Sequence, residues 1–218
     1  KELGYRALAI TDECSMSGVV RAHTAAREQG LKLIIGSELK LNDGTHLVAL
    51  VMDADGYGNL CELITLGRRR AEKGTYQLHR EDFAAGLPGC LILWVPGKRI
   101  EQATADWVKE TFPTRAWCAV ELHLAKNERQ RLRRLRAIDL PLVAAGDVHM
   151  HIRERRPLQD TVTAIRLNKP VFDIFAQLYP NGERHLRAWQ ALKAIYPAEL
   201  LAETLKVAER CTFSLDDI

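Results

Sequence analysis

Short apolar runs alternate along this chain with stretches whose apolar positions recur every three or four residues. Ala7 to Ile10 predicts a buried strand. Gly18 to Gln29 predicts a helix that Gly30 closes just past its end. Leu31 to Ile35 is the next predicted strand. Glu38 to Leu41 and His46 to Val51 flank Asn42-Asp43-Gly44, a hairpin signal because Asn, Asp and Gly tolerate the left-handed backbone of a tight turn. A helix over Leu60 to Arg70 places Leu60, Leu63, Ile64 and Gly67 on one face, and a strand over Leu91 to Val95 ends at Pro96-Gly97. A helix from Ile100 to Glu110, a strand from Trp117 to Leu122, a helix from Asn127 to Arg136 and a strand from Leu142 to Ala145 complete the series.

This alternation predicts an α/β fold of parallel strands with helices outside, arranged like a barrel but made irregular by the hairpin. After His151 the character changes. Leu158 to Leu167 and Trp189 to Arg210 read as helical, interrupted by Pro170, Pro180 and Pro197, with no strand between them. The predicted organisation is therefore a barrel domain over residues 1–155 and a helical extension over 156–218. The chain opens Lys1-Glu2-Leu3-Gly4, without Met and like the tail of a helix, which suggests a piece of a longer protein whose first strand lies upstream.

With 218 residues, 47% hydrophobic and 27% charged, the chain has enough apolar material for a sizeable core, which excludes gross disorder. No apolar run approaches the ~18 residues of a membrane span. Five scattered cysteines, Cys14, Cys61, Cys90, Cys118 and Cys211, contain no Cys-x-x-Cys pair, which fits a reducing cytoplasm and small buried hydrophobes rather than a disulfide framework. A net charge of +3 does not by itself announce nucleic-acid binding. The basic residues do cluster, at Arg68-Arg69-Arg70, at Arg129, Arg131, Arg133, Arg134 and Arg136, and at Arg153, Arg155 and Arg156. For the second cluster, a solvated helix face and a contact surface presenting Arg129, Arg133 and Arg136 to DNA or an acidic partner both fit the pattern.

The chemistry is concentrated where apolar runs stop. Asp12 and Glu13 follow the first strand, Glu38 follows Gly36-Ser37, and Asp147 and His149 follow the last strand. Barrel folds place their reacting groups at the carboxyl ends of strands, and Asp, Glu and His gathered there are the raw material of a metal site. Each residue also has a plain reading, Asp12 as a helix cap and Glu38 as a turn carboxylate. Asp147 and His149 flank Val148, so an extended segment points both side chains the same way, and His151 continues the period. His79, His123, His185 and Trp189 read as structural residues.

Leu8-Ala9-Ile10-Thr11-Asp12, Gly30-Leu31-Lys32-Leu33-Ile34-Ile35-Gly36-Ser37-Glu38 and His46-Leu47-Val48-Ala49-Leu50-Val51 leading to Gly58-Asn59-Leu60 resemble the polymerase-and-histidinol-phosphatase (PHP) domain of bacterial C-family DNA polymerases. Thr11-Asp12-Glu13-Cys14-Ser15, Ala145-Gly146-Asp147-Val148-His149-Met150-His151, Leu158-Gln159-Asp160 and Glu183-Arg184-His185-Leu186 are similar to its error-prone branch. The resemblance implies a distorted (β/α)7-like PHP barrel whose extension leads toward a polymerase palm. It implies a role in damage-induced mutagenesis and repair synthesis in the cytoplasm, with DNA bound through a parent polymerase that uses Mg²⁺, and with accessory mutagenesis proteins as partners. It also implies metal ligands at Asp12, Glu38, His46, Asp147 and His149. Glu13 stands where metal-binding members have His, and Pro96 or Gly97 where they have Cys or His. A carboxylate at Glu13 favours Mn²⁺ or Mg²⁺ over Zn²⁺. The depleted set points to a degenerate site in a non-catalytic scaffold, the alternative being an active metal-dependent phosphoesterase.

Overall fold

A computed structural model describes residues 1–218. Six strands, β1 (Ala7–Ile10), β2 (Lys32–Lys40), β3 (His46–Val51), β4 (Cys90–Trp94), β5 (Ala116–Glu121) and β6 (Leu142–Ala145), lie side by side in chain order. Seven helices accompany them: α1 (Val19–Gln29), α2 (Ala54–Arg69), α3 (Gln102–Thr111), α4 (Glu128–Leu135), α5 (Arg156–Leu167), α6 (Trp189–Ile195) and α7 (Ala198–Arg210). The sheet is a curled half-barrel in which β1 and β6 do not pair. The expected α/β class and barrel-like architecture are therefore present, with six strands. No helix is long and apolar enough to cross a membrane.

The sheet is mixed rather than parallel. β2–β3 and β3–β4 are antiparallel, while β1–β2, β4–β5 and β5–β6 are parallel. The hairpin at Asn42-Asp43-Gly44 reverses one strand, and β3 then reaches β4 antiparallel because α2 returns the chain to the same end of the sheet. The runs expected as separate strands over Leu31–Ile35 and Glu38–Leu41 are one continuous β2. Gly36 makes this possible: a Cβ there would lie 2.3 Å from the Ala49 carbonyl oxygen on β3, so only glycine allows the two strands to approach.

Helix α2 begins well before the predicted Leu60, because Asp53 caps it by accepting the Gly56 N–H at 2.8 Å. Gly30 ends α1 at φ 56°, as its sequence position predicts. Pro197 divides the helical pattern from Trp189 to Arg210 into α6 and α7. The opening Lys1–Gly4 is a turn closed by a Gly4 N–H to Lys1 carbonyl bond of 2.8 Å, not the tail of a helix.

Alternating strand positions divide two apolar layers. Ile35, Leu39, Leu47, Ile92, Cys118 and Val120 face α1–α4 in the main core, together with Leu60, Val108 and Leu135. The opposite, concave face carries Ile34, Leu50, Leu91, Trp117 and Val143, which α7 covers with Val207 and, just past its end, Cys211. Trp117 donates from Nε1 to Glu203 at 3.0 Å, and Lys32 donates to the Ala208 carbonyl at 2.6 Å, fixing α7 beneath the sheet. The segment after residue 155 thus completes the barrel's interior.

The same segment links the two open edges. His185 bridges Met150 beyond the end of β6, and the Trp189 N–H donates to the Leu3 carbonyl at 2.9 Å just ahead of β1. Backbone groups just beyond the two edge strands find partners here.

Candidate functional site

With α7 closing the lower part of the concave face, the upper part remains open as a cavity of about 2010 Å³. Asp12, Glu13, Glu38, His46, Asp147 and His149 all line it, as do Lys40, Glu121, His123, Tyr179 and Arg184. The six expected ligand positions therefore share one cavity wall, although Glu38 lies within β2 rather than past a strand's end and His46 opens β3. The exposed His151 does not line that cavity.

The strand register explains much of this arrangement. Lys40 pairs with His46 across β2 and β3, and Glu38, two residues before Lys40, shares its face. His46 Nε2 lies 2.9 Å from Glu38 Oε1, and Lys40 Nζ lies 2.8 Å from that same carboxylate. Lys40 also reaches Glu13 at 2.8 Å, and the Tyr76 hydroxyl donates to the other Glu13 oxygen at 2.8 Å. Arg68 holds the turn behind them by donating to the Glu13 and Cys14 carbonyls at 3.2 and 3.1 Å. That residue of the first basic cluster is thus engaged with backbone.

On the other side of the rim, Asp147 and His149 meet through a bend rather than along an extended strand. β6 stops at Ala145, and Asp147 adopts φ 41°, a left-handed conformation that Asp tolerates better than most side chains. His149 Nε2 lies 3.0 Å from Asp147 Oδ1 and 2.8 Å from the Tyr179 hydroxyl. Asp147 and His149 thus meet without the extended backbone that their period of two predicts.

Arg184 completes this half. Its guanidinium pairs with Asp147, lies 3.7 Å from Glu121, and sits over the Tyr179 ring with its carbon 4.3 Å from the centroid. Its carbonyl accepts the His149 and Met150 N–H groups at 2.9 and 3.1 Å. Behind it, Arg187 is buried and donates to the Leu122 carbonyl at 3.0 Å. The Tyr196 hydroxyl donates to the Ala145 carbonyl at 2.7 Å and accepts the Leu122 N–H at 3.0 Å.

Charge follows these contacts. Burial alone would raise the Glu38 pKa, but contacts with His46 and Lys40 outweigh it and bring the carboxyl down to about 2. Burial would likewise lower the Lys40 pKa, yet Glu13 and Glu38 offset it and hold the ammonium proton more tightly than usual. Burial lowers the pKa of His149, with Glu38 opposing. His123 is driven furthest, to about 4, by burial, although its ring contacts the Gly146 carbonyl at 2.9 Å. Its structural reading fits this packed position.

Sequence reasoning missed Lys40, Glu121, Tyr179 and Arg184. Lys40 carried a usable signal, lying two residues past Glu38 on a strand. Arg184 carried none, because only the fold brings it to Asp147. In the second basic cluster, Arg131 is spent on the Pro96 and Gly97 carbonyls at 2.5 and 2.8 Å. Arg136 pairs with Glu199 at 2.6 Å, while Arg129 and Arg133 are exposed on α4.

The donor set does not fit a divalent cation as arranged. Carboxylates that ligate a metal present free oxygens to one point at roughly 2.0–2.6 Å. Here Glu13 and Glu38 close on an ammonium, Asp147 and Glu121 face a guanidinium, and no three His, Cys, Asp or Glu side chains converge on a common centre.

The PHP domain model matches residues 1–94. That stretch, which holds β1 to β4, is similar to the PHP domain. It is 54% identical over 224 residues to an error-prone DNA polymerase of Dechloromonas aromatica, the match covering 99% of this chain and 22% of that protein. It is 55% identical over 220 residues to an error-prone DNA polymerase of Pseudomonas aeruginosa, covering 99% and 21%. The chain thus spans about a fifth of the length of these relatives. A solved structure from Bifidobacterium adolescentis, described as a candidate metal-dependent phosphoesterase, superposes with a TM-score of 0.49 at 14% identity over 67% of this chain and 78% of that one. At that score the likeness carries no weight for function.

Proposed function

We propose that this chain is the PHP module of an error-prone DNA polymerase acting in damage-induced mutagenesis and repair synthesis, and that the module itself is a non-catalytic scaffold. The observation that carries the scaffold reading is the Lys40 ammonium seated 2.8 Å from both Glu13 and Glu38. A hydrolytic PHP rim needs a metal to activate water and clamp a phosphate, and two of its carboxylates are engaged here by a side-chain cation. The polymerase reading is supported by identity with error-prone polymerases along the whole chain. DNA contact through the remainder of the parent protein, its Mg²⁺ requirement and association with accessory mutagenesis proteins belong to that reading. So does a cytoplasmic location, which five free thiols support.

In this role the rim positions chain segments. Arg184, Arg187 and Tyr196 tie the segment after α5 to the ends of β5 and β6, so the helical extension leaves the barrel at a defined place. The test is phosphodiester hydrolysis by the purified protein on single-stranded DNA and on bis-p-nitrophenyl phosphate with Mn²⁺, Mg²⁺ or Zn²⁺. No turnover above that of Asp147→Asn is expected. Metal-dependent cleavage that disappears in Asp147→Asn would establish the phosphoesterase reading instead.

A further inference from the structure

Two cationic side chains stand among the rim carboxylates, and they come from different parts of the chain. Lys40 reaches in from β2 and touches Glu13 and Glu38, while Arg184 enters from the segment after α5 and touches Asp147 and Glu121. The Arg184 side chain is 16% exposed, so its charge is largely removed from water. Without these two cations, Glu13, Glu38, Glu121 and Asp147 would lose their Lys and Arg ion-pair partners while still lining one cavity with Asp12. Like charges gathered in a partly desolvated pocket repel strongly.

We propose that Lys40 and Arg184 are built-in counter-ions that hold the rim together in place of divalent cations, so that barrel and extension stay docked without metal. This rests on the scaffold reading above and adds to it the groups that carry the load. Lys40 clamps the turn after β1 to β2. Arg184 clamps the bend after β6 to the chain leading into α6, and its stacking on Tyr179 fixes the plane in which it meets Asp147. The Lys40–Glu13 and Arg184 contacts join segments distant in sequence, so each cation closes a loop as well as neutralising charge.

The arrangement predicts that removing the cations turns a metal-indifferent protein into one that responds to metal. Thermal unfolding of the intact protein is measured in EDTA and in millimolar Mn²⁺, with Mn²⁺ binding followed by electron paramagnetic resonance. The wild type is expected to show the same Tm in both and no site-bound Mn²⁺. Lys40→Met with Arg184→Met is expected to lower Tm in EDTA by roughly 5–10 °C. It should then bind Mn²⁺ and regain about half of the loss. Should that variant not fold, the pair Lys40→Met and Glu13→Gln/Lys40→Met decides. Removing the carboxylate together with its cation should cost less than removing the cation alone.

A wild-type Tm that falls in EDTA would overturn the proposal, as would single or double cation deletions that leave Tm unchanged. Hydrolysis assays remain a separate readout. Metal-dependent cleavage by the wild type would end the scaffold reading, whereas unchanged Tm on cation removal would end only the counter-ion proposal.

Discussion

Glu38 and His123 sit on the same cavity wall and oppose acid for different reasons. Glu38 is held near pKa 2 by His46 and Lys40, despite burial that acts the other way. In the unfolded chain it titrates near ~4.3. As pH falls from about 4.5 toward 2, the unfolded state takes up a proton that the native state refuses, so stability is lost across that window. His123 is kept neutral by burial down to about 4, against ~6.5 when unfolded. Its contribution is complete above about pH 6.5 and is lost as pH falls from there to 4. Acid weakening should therefore begin near pH 6.5, well above the carboxylate range. Urea midpoints across pH 7 to 4 check this, and His123→Gln should flatten that upper limb. An unaltered limb would assign it to another group.

Strand β2 shows how one element carries both fold and site. Its outward-alternating Ile35 and Leu39 enter the main core, while Ile34, Glu38 and Lys40 face the concave side. The run was readable in part, but Gly36 and Ser37 looked like a break because neither is a strand former. Gly36 is instead where β2 lies too near β3 for a Cβ, and Ser37 ties β2 to the chain after β1 by donating to the Asp12 carbonyl at 2.8 Å. Gly36→Ala should lower stability by about 3 kcal/mol or more, since its Cβ would press on the Ala49 backbone oxygen, which cannot yield without breaking the ladder. Denaturant midpoints measure this, and a loss below about 1 kcal/mol would show that the strands can separate at little cost. α7 makes the complementary point. Its amphipathic pattern was plain in the sequence, but its partner, the lower half of the concave face, was not.

At the scale of the molecule, the basic clusters divide into working parts and a free surface. Arg68 binds the Glu13–Cys14 turn, Arg131 binds the Pro96–Gly97 turn, and Arg153 pairs with the buried Glu183. Arg129 and Arg133 remain on the exposed side of α4. If that face touches DNA within the parent protein, Arg129→Ala/Arg133→Ala should weaken binding uniformly across sequences and reduce the salt slope by about 2. Fluorescence anisotropy at several salt concentrations measures both quantities, and an unchanged slope would leave α4 a solvated face. Whole-chain packing also explains how an open half-barrel persists: α7 fills its interior, and the chain from Arg184 to Trp189 spans its gap.

The sequence by itself determined the succession of elements, the hairpin, the glycine that ends α1 and the gathering of Asp12, Glu13, Glu38, Asp147 and His149 where apolar runs stop, with His46 added by the resemblance. Apart from His46, these follow from local rules, namely periodicity, turn chemistry and the alternation of side chains along a strand. Only the tertiary structure decided what the rim holds. Lys40 reaches Glu13 because the turn after β1 runs beside β2, with Glu13 bridged to Glu38, and Arg184 reaches Asp147 because the extension folds back over the open edge. Long-range charge pairing leaves no trace in a local pattern, since its energy depends on which segments meet, and that is set by how the apolar faces are buried together.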